Sequence, residues 1–139
     1  MPISADEIRP GVVAYLNVSV LMKDTRIRYS EHGDSFRNSP FVCVQRKGDE
    51  TLWLELTTRE EKTQRLELLS EWRAGGGGLW KKKRQFVHDA RKPLIGPASA
   101  FADASNGVDI YSNSDRPEVL QAGITEMIGE IGKYGEQTL

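Results

Sequence analysis

One stretch of the chain, Phe41 to Thr58, constrains the fold more than any other. Pro40 leads into Phe41-Val42-Cys43-Val44, a short continuous apolar run closed by the polar Gln45-Arg46, and this reads as a buried strand. Lys47-Gly48-Asp49-Glu50 is a turn. Thr51 to Leu56 then alternates, with Leu52, Leu54 and Leu56 on one face and Trp53 and Glu55 on the other. Two strands joined by a short glycine-containing turn predict a β-hairpin, whose second strand ends in the adjacent hydroxyls of Thr57 and Thr58. A β-rich domain follows.

A length of 139 residues suits a single domain, 1–139, with a hydrophobic core that needs neither metal nor disulfide to hold it. The single cysteine, Cys43, lies between two valines of a strand and reads as a small buried hydrophobe, not a nucleophile. Asp6, Glu7 and Arg9 precede any apolar run, so no signal peptide is expected. No segment approaches the length of a membrane-spanning helix, and a soluble cytoplasmic protein is the expectation. Charge is nearly balanced overall but not along the chain. Residues 59–92 carry 10 basic and 5 acidic groups, whereas residues 93–139 carry 2 basic and 7 acidic. The central block can face a polyanion, or the protein's own acidic C-terminal part in the same or another subunit.

Ile8-Arg9-Pro10-Gly11 forms a turn, and period-2 alternation from Val12 to Met22 predicts a long first strand. Lys23 to Asn38 is polar, with a short strand around Arg26 to Tyr29 and a loop at Glu31-His32-Gly33-Asp34. Thr58 to Glu61 fits a capping box. Beyond it Leu66, Leu69 and Trp72 at steps of three suit a helix, whereas Arg65 to Leu68 also fits the start of a strand; an irregular segment followed by a short helix over Leu68 to Arg73 is expected. Gly75 to Gly78 ends it, because four glycines carry too much backbone entropy to remain in one element. Strands are expected at Gln85–His88 and Val108–Tyr111, a short edge strand or buried loop at Leu94–Pro97, and one helical turn within Ala98–Ala104. A C-terminal helix over about 116–132 is capped by Asp115. Its stripe of Leu120, Ile124, Met127, Ile128 and Ile131 follows the 3.6-residue period.

The tetraglycine lies between Trp72 and Trp80 and has two readings. It is a hinge with both indoles packed on the domain, or a place where a nucleic-acid or peptide backbone approaches while Trp80 stacks on a base beside Lys81-Lys82-Lys83-Arg84. Neither nucleotide-binding glycine pattern is present. His32 and His88 are too far apart in sequence for a spaced zinc signature, so neither metal nor cofactor is expected. A metal-independent ribonuclease needs a group acting on the ribose 2′-hydroxyl, a cation for the phosphorane and a proton donor. Thr57 at a strand end, Arg37 ahead of the facing strand and His32 in the adjacent loop are the right chemical types.

Several of these segments resemble the PemK/MazF-like toxin family. Ile8-Arg9-Pro10-Gly11-Val12-Val13 is similar to its first turn and strand, Ser39-Pro40-Phe41-Val42-Cys43-Val44 to its proline-led core strand, and Leu56-Thr57-Thr58 to its strand-end threonine motif. Pro117 to Gly132 resembles its closing helix. The resemblance implies a small SH3-like barrel with a C-terminal helix, mainly β with some α, here carrying a Gly-rich basic insertion at about 59–85. It also implies a metal-independent endoribonuclease of a toxin–antitoxin pair, with a protein antitoxin as partner. The family's catalytic arginine position holds Ser39, and Arg37 lies two residues earlier.

Two functional classes follow. In the first, RNA lies in a groove between the His32–Asn38 loop, Thr57 and the Lys81–Arg84 run; Arg37 stabilises the phosphorane, Thr57 positions the phosphate and His32 moves a proton. In the second, the domain is a non-catalytic SH3-like module that binds a protein or nucleic acid through Trp53, Trp72, Trp80 and nearby basic groups. The apolar helix stripe and open strand edges are compatible with a homodimer.

Overall fold

The architecture is built on one long strand that has three partners. A computed structural model describes residues 2–29, 37–60, 66–111, 114–135 and 138–139. After a 3-10 turn at Ala5–Glu7 the elements run β1 (Val13–Leu16), α1 (Val18–Lys23), β2 (Arg28–Tyr29), β3 (Ser39–Lys47) and β4 (Glu50–Thr57). There follow β5 (Leu66–Leu68), a second 3-10 turn (Ser70–Trp72), β6 (Arg73–Ala74), α2 (Gly78–Lys82), β7 (Gln85–Val87) and β8 (Leu94–Pro97). The chain closes with α3 (Ala98–Ser105), β9 (Glu118–Val119) and α4 (Gln121–Lys133).

β4 pairs along one side with β3, in the expected hairpin; Gly48 takes a φ of 60° at its turn, which a side chain would disfavour. Along its other side the first half of β4 pairs with β8 and the last two residues with β7. β1 extends the sheet beyond β3, β5 beyond β7, and β2 beyond β8, all antiparallel. β6 and β9 form a separate two-stranded sheet.

Both faces of β3 and β4 are covered, which explains why Phe41 to Val44 is apolar without alternation. On one face Phe41, Cys43, Trp53, Ala14 and Leu16 pack against α1 and the alanine-rich α3. Trp53 stacks on Phe101 at a centroid distance of 5.0 Å, and its indole N–H donates to Thr51 Oγ1 at 2.9 Å. On the other face Val42, Val44, Leu52, Leu54 and Leu56 meet Ile124, Met127 and Ile131 of α4. The result is a helix–sheet–helix layering with two cores.

This overturns the SH3-like barrel. The described strands make two open sheets, neither of which closes on itself, in a mixed α/β fold with comparable helix and strand content. The physical reason is that the second face of the central strands is buried under α1 and α3, so the sheet gains more by lying flat between helices than by curling round one core.

Local differences follow the same logic. The predicted long first strand stops at Leu16, because Asn17 Oδ1 accepts hydrogen bonds from the Ser19 and Val20 N–H groups (3.0 and 3.4 Å) and caps α1. The segment expected as a helix over Leu68 to Arg73 is a strand end, a 3-10 turn and β6. Gly78 opens α2 and does not lie in a loop, and Val108–Tyr111 is not a strand. The C-terminal helix begins at Gln121, after Glu118 and Val119 have paired with β6. The proposed capping box of Thr58 runs to Glu61, outside the described residues. No described helix is long and apolar enough to cross a membrane.

Candidate functional site

The strand register gathers several of the sequence-predicted residues at one end of the sheet. Phe41 pairs with Glu55, β3 begins two residues before Phe41, and β4 ends two residues beyond Glu55, at Thr57. Arg37 and Thr57 therefore lie at the same end of the hairpin. Thr57 also pairs with Phe86, so Lys83 and Arg84, just ahead of β7, emerge at that end too. Arg37 is exposed and Thr57 half-buried. Thr57 Oγ1 accepts the Arg59 N–H at 3.2 Å, which turns the chain out of the strand and leaves the hydroxyl proton to donate elsewhere.

Glu55 is the residue that sequence reasoning missed. It shares its face of β4 with Trp53, and only 7 % of it is exposed. The Ser39 hydroxyl donates to Glu55 Oε2 at 2.6 Å and lies 2.9 Å from the Arg37 carbonyl. Among the described residues Glu55 Oε1 has no hydrogen-bond partner. Burial pushes the Glu55 carboxyl above its usual range, against the opposing influence of the Ser39 hydroxyl, the Arg37 backbone, and the charges of Lys92 and Arg37. The Glu55 carbonyl accepts the His88 N–H at 2.8 Å, which ties this point of β4 to the end of β7. Beyond it the buried Asp89 is gripped by Arg91 (2.8 and 3.0 Å). Burial raises its carboxyl, but the hydrogen bonds from Arg91 outweigh it and the net shift is downward.

The basic run divides. Lys81, Lys82 and Lys83 are exposed on and just after α2. Arg84 is held by Glu60 and Glu67 (2.6 and 2.8 Å) and sits over the Phe86 ring. Trp80 is only 7 % exposed; its indole N–H donates to the Ala74 carbonyl at 3.0 Å, and Arg73 lies over its ring. It belongs to the buried cluster that also holds Leu68, Val87 and Met127, so an indole this covered has little face left for the stacking role expected of it. Trp53 is fully buried as well. His32 falls outside the described residues.

Cys43 is fully buried, and burial pushes its thiol up to about 12, in keeping with a core residue. The described residues contain no cluster of three or more His, Cys, Asp or Glu suited to a metal ion.

No known protein family matches the chain, and no curated protein or solved structure is significantly similar to it. With the open sheet, this removes the PemK/MazF-like assignment, and with it the toxin–antitoxin label drawn from that likeness. The short segments that carried it, such as a proline before a core strand and a threonine after one, are produced by strand ends in many folds.

Proposed function

We propose that the sheet end around Arg37, Ser39, Glu55 and Thr57 binds a phosphodiester of single-stranded RNA and cleaves it without a metal. The observation that carries this reading is the 2.6 Å hydrogen bond from Ser39 to a buried carboxylate, at the same strand ends as an exposed arginine. A carboxyl with a raised affinity for protons is a base poised closer to neutral pH than a solvated one. Glu55 Oε1 is itself covered, so substrate meets the half-buried Ser39 hydroxyl and the proton reaches Glu55 through it.

In the proposed step the ribose 2′-hydroxyl gives its proton to Ser39 Oγ as the Ser39 proton passes to Glu55 Oε2. The 2′-oxygen forms its bond to phosphorus, the bond from phosphorus to the 5′-oxygen breaks, and the leaving 5′-oxygen takes a proton from water. The Arg37 guanidinium faces the phosphorane oxygens and the Thr57 hydroxyl donates to one of them. Lys81 to Lys83 attract the neighbouring phosphates electrostatically.

The test is incubation of the protein with mixed-sequence single-stranded RNA in the presence of a chelator, with the product ends identified. Wild type yields 2′,3′-cyclic phosphate ends, Arg37→Ala and Glu55→Gln each lose about a hundredfold or more of the rate, and Ser39→Ala loses a comparable share. Absence of cleavage by wild type across varied RNAs, with binding retained, leaves the non-catalytic binding reading. Absence of both removes RNA altogether.

A further inference from the structure

We propose that Lys92 is a positioning residue of the Glu55 site. It lies in the fork where β4 leaves β8 for β7, and its covered ammonium acts through Glu55, keeping that carboxylate charged for its part in the reaction. Lys92 matters in this way only if Glu55 is the base proposed above.

The strand register sets it there. β4 pairs with β8 from Glu50 opposite Pro97 to Trp53 opposite Leu94, and with β7 at Leu56 opposite Val87 and Thr57 opposite Phe86. Glu55 is thus the point at which β4 changes partners. The β8 register, carried two residues beyond Leu94, comes level with Glu55 at Lys92. The β7 register, carried one residue beyond Val87, arrives at His88, whose N–H donates to the Glu55 carbonyl at 2.8 Å. Residues 88–92 turn through the fork, and the Lys92 N–H closes the turn on the Asp89 carbonyl at 3.1 Å.

That turn carries three charged side chains, Asp89, Arg91 and Lys92. Asp89 is already matched, since the Arg91 guanidinium donates to both of its carboxylate oxygens (3.0 and 2.8 Å) and the Arg91 N–H adds a third bond at 2.9 Å. Glu55 is placed differently. Its carboxylate accepts from the Ser39 hydroxyl and from the Arg37 backbone, both neutral donors, and Oε1 has no hydrogen-bond partner among the described residues. Burial opposes its negative charge, and nearby cations favour it. Two cations act on it, Lys92 and Arg37, and Lys92 acts the more strongly. Exposure explains that order. Arg37 stands in solvent, which screens it, whereas Lys92 is only 7 % exposed and its charge reaches Glu55 through protein.

The experiment follows the Glu55 carboxyl carbon of the full chain by NMR across pH, its resonance being the one lost in Glu55→Gln. Without the ammonium the carboxyl keeps its proton to higher pH, so the titration midpoint of Lys92→Met is expected about one pH unit above wild type. Lys92→Arg restores it. In RNA cleavage the acid limb of the pH profile moves up by the same interval: Lys92→Met is about tenfold slower on that limb and close to wild type on the alkaline side. A purely structural role would lower the rate at every pH and leave the midpoint in place. An unchanged midpoint in folded Lys92→Met, or a midpoint raised equally in Lys92→Arg, would overturn the proposal. Folding is checked by the far-ultraviolet spectrum, and Lys92→Gln takes the place of Lys92→Met if the latter does not fold. A raised midpoint with no RNA cleavage by wild type removes the ribonuclease reading and keeps the hold of Lys92 on Glu55. An unchanged midpoint with cleavage removes Lys92 alone.

Discussion

Glu55 carries a stability consequence that can be measured without knowing any substrate. Its carboxyl is raised by burial, while Ser39, Lys92 and Arg37 act in the opposite direction. A folded-state value above the unfolded one means that the native state binds more protons than the unfolded chain across that window. Stability therefore falls as pH rises from the ordinary carboxylate range through the raised value. Glu55→Gln removes this loss and keeps an acceptor for the Ser39 hydroxyl. The variant is expected to melt higher than wild type at pH 7, with the difference gone below about pH 4. A variant that melts lower at neutral pH would show that ionised Glu55 is held by its neighbours more strongly than its burial opposes. The sequence places Glu55 on one face with Trp53 but assigns it no role, because alternation alone does not say whether that face is covered. The signal lay in the facing strand: a continuous apolar run from Phe41 to Val44 implies two covered faces, and a glutamate opposite Phe41 must then share that burial.

At the level of elements, α4 separates two kinds of glycine. A Cβ on Gly123 would meet Val119 Cγ1 at 2.7 Å and Trp72 Cβ at 3.0 Å, because the helix approaches β9 and the 3-10 turn closely there. A Cβ on Gly129 meets nothing within 4 Å. Gly129→Ala is expected to stabilise the protein by roughly 0.5–1 kcal/mol through helix propensity. Gly123→Ala forces repacking that costs about 1–3 kcal/mol, which outweighs the same propensity gain. Chemical denaturation of the two variants reads both signs, and stabilisation of Gly123→Ala would show that α4 has room to move away from β9. Most of the apolar stripe of this helix was legible from spacing: Ile124, Met127 and Ile131 are buried and Ile128 is half-buried, whereas Leu120 is exposed at the N-cap. Its start was not, since Asp115 and Pro117 look like a cap and first turn, yet tertiary pairing draws Glu118 and Val119 into a strand against β6. The same competition shortened β1. Val18 to Met22 satisfies a period of two, but the side chain of Asn17 supplies the cap that a helix needs and a strand cannot use.

For the whole molecule, the hairpin was readable because its turn and its apolar runs are local, while the closure of the sheet depended on partners distant in the chain. α3 shows why. A stretch rich in alanine and serine gives little periodic signal, yet its small side chains let it lie close over Phe41 and Trp53 and cover the face that a barrel would have turned inward. The charge pattern gains a similar reading from the fold. Within the basic block Arg84 and Arg91 are neutralised by Glu60, Glu67 and Asp89 of the same block, whereas Lys81, Lys82 and Lys83 stay exposed beside the strand ends that carry Arg37 and Thr57. Of the ten basic groups in residues 59–92, these three lysines form an exposed run just ahead of β7, whose Phe86 pairs with Thr57 at that end of the sheet. If that end binds single-stranded RNA, each lysine that contacts a phosphate contributes about 0.7 to the slope of log affinity against log salt. Replacing all three by alanine is then expected to flatten the slope by up to about 2 while leaving the melting temperature close to wild type, since exposed lysines add little to stability. The measurement is RNA binding across a salt series. An unchanged slope would take the lysines out of the RNA path and leave Arg37 as the basic group of the proposed site on which binding must depend.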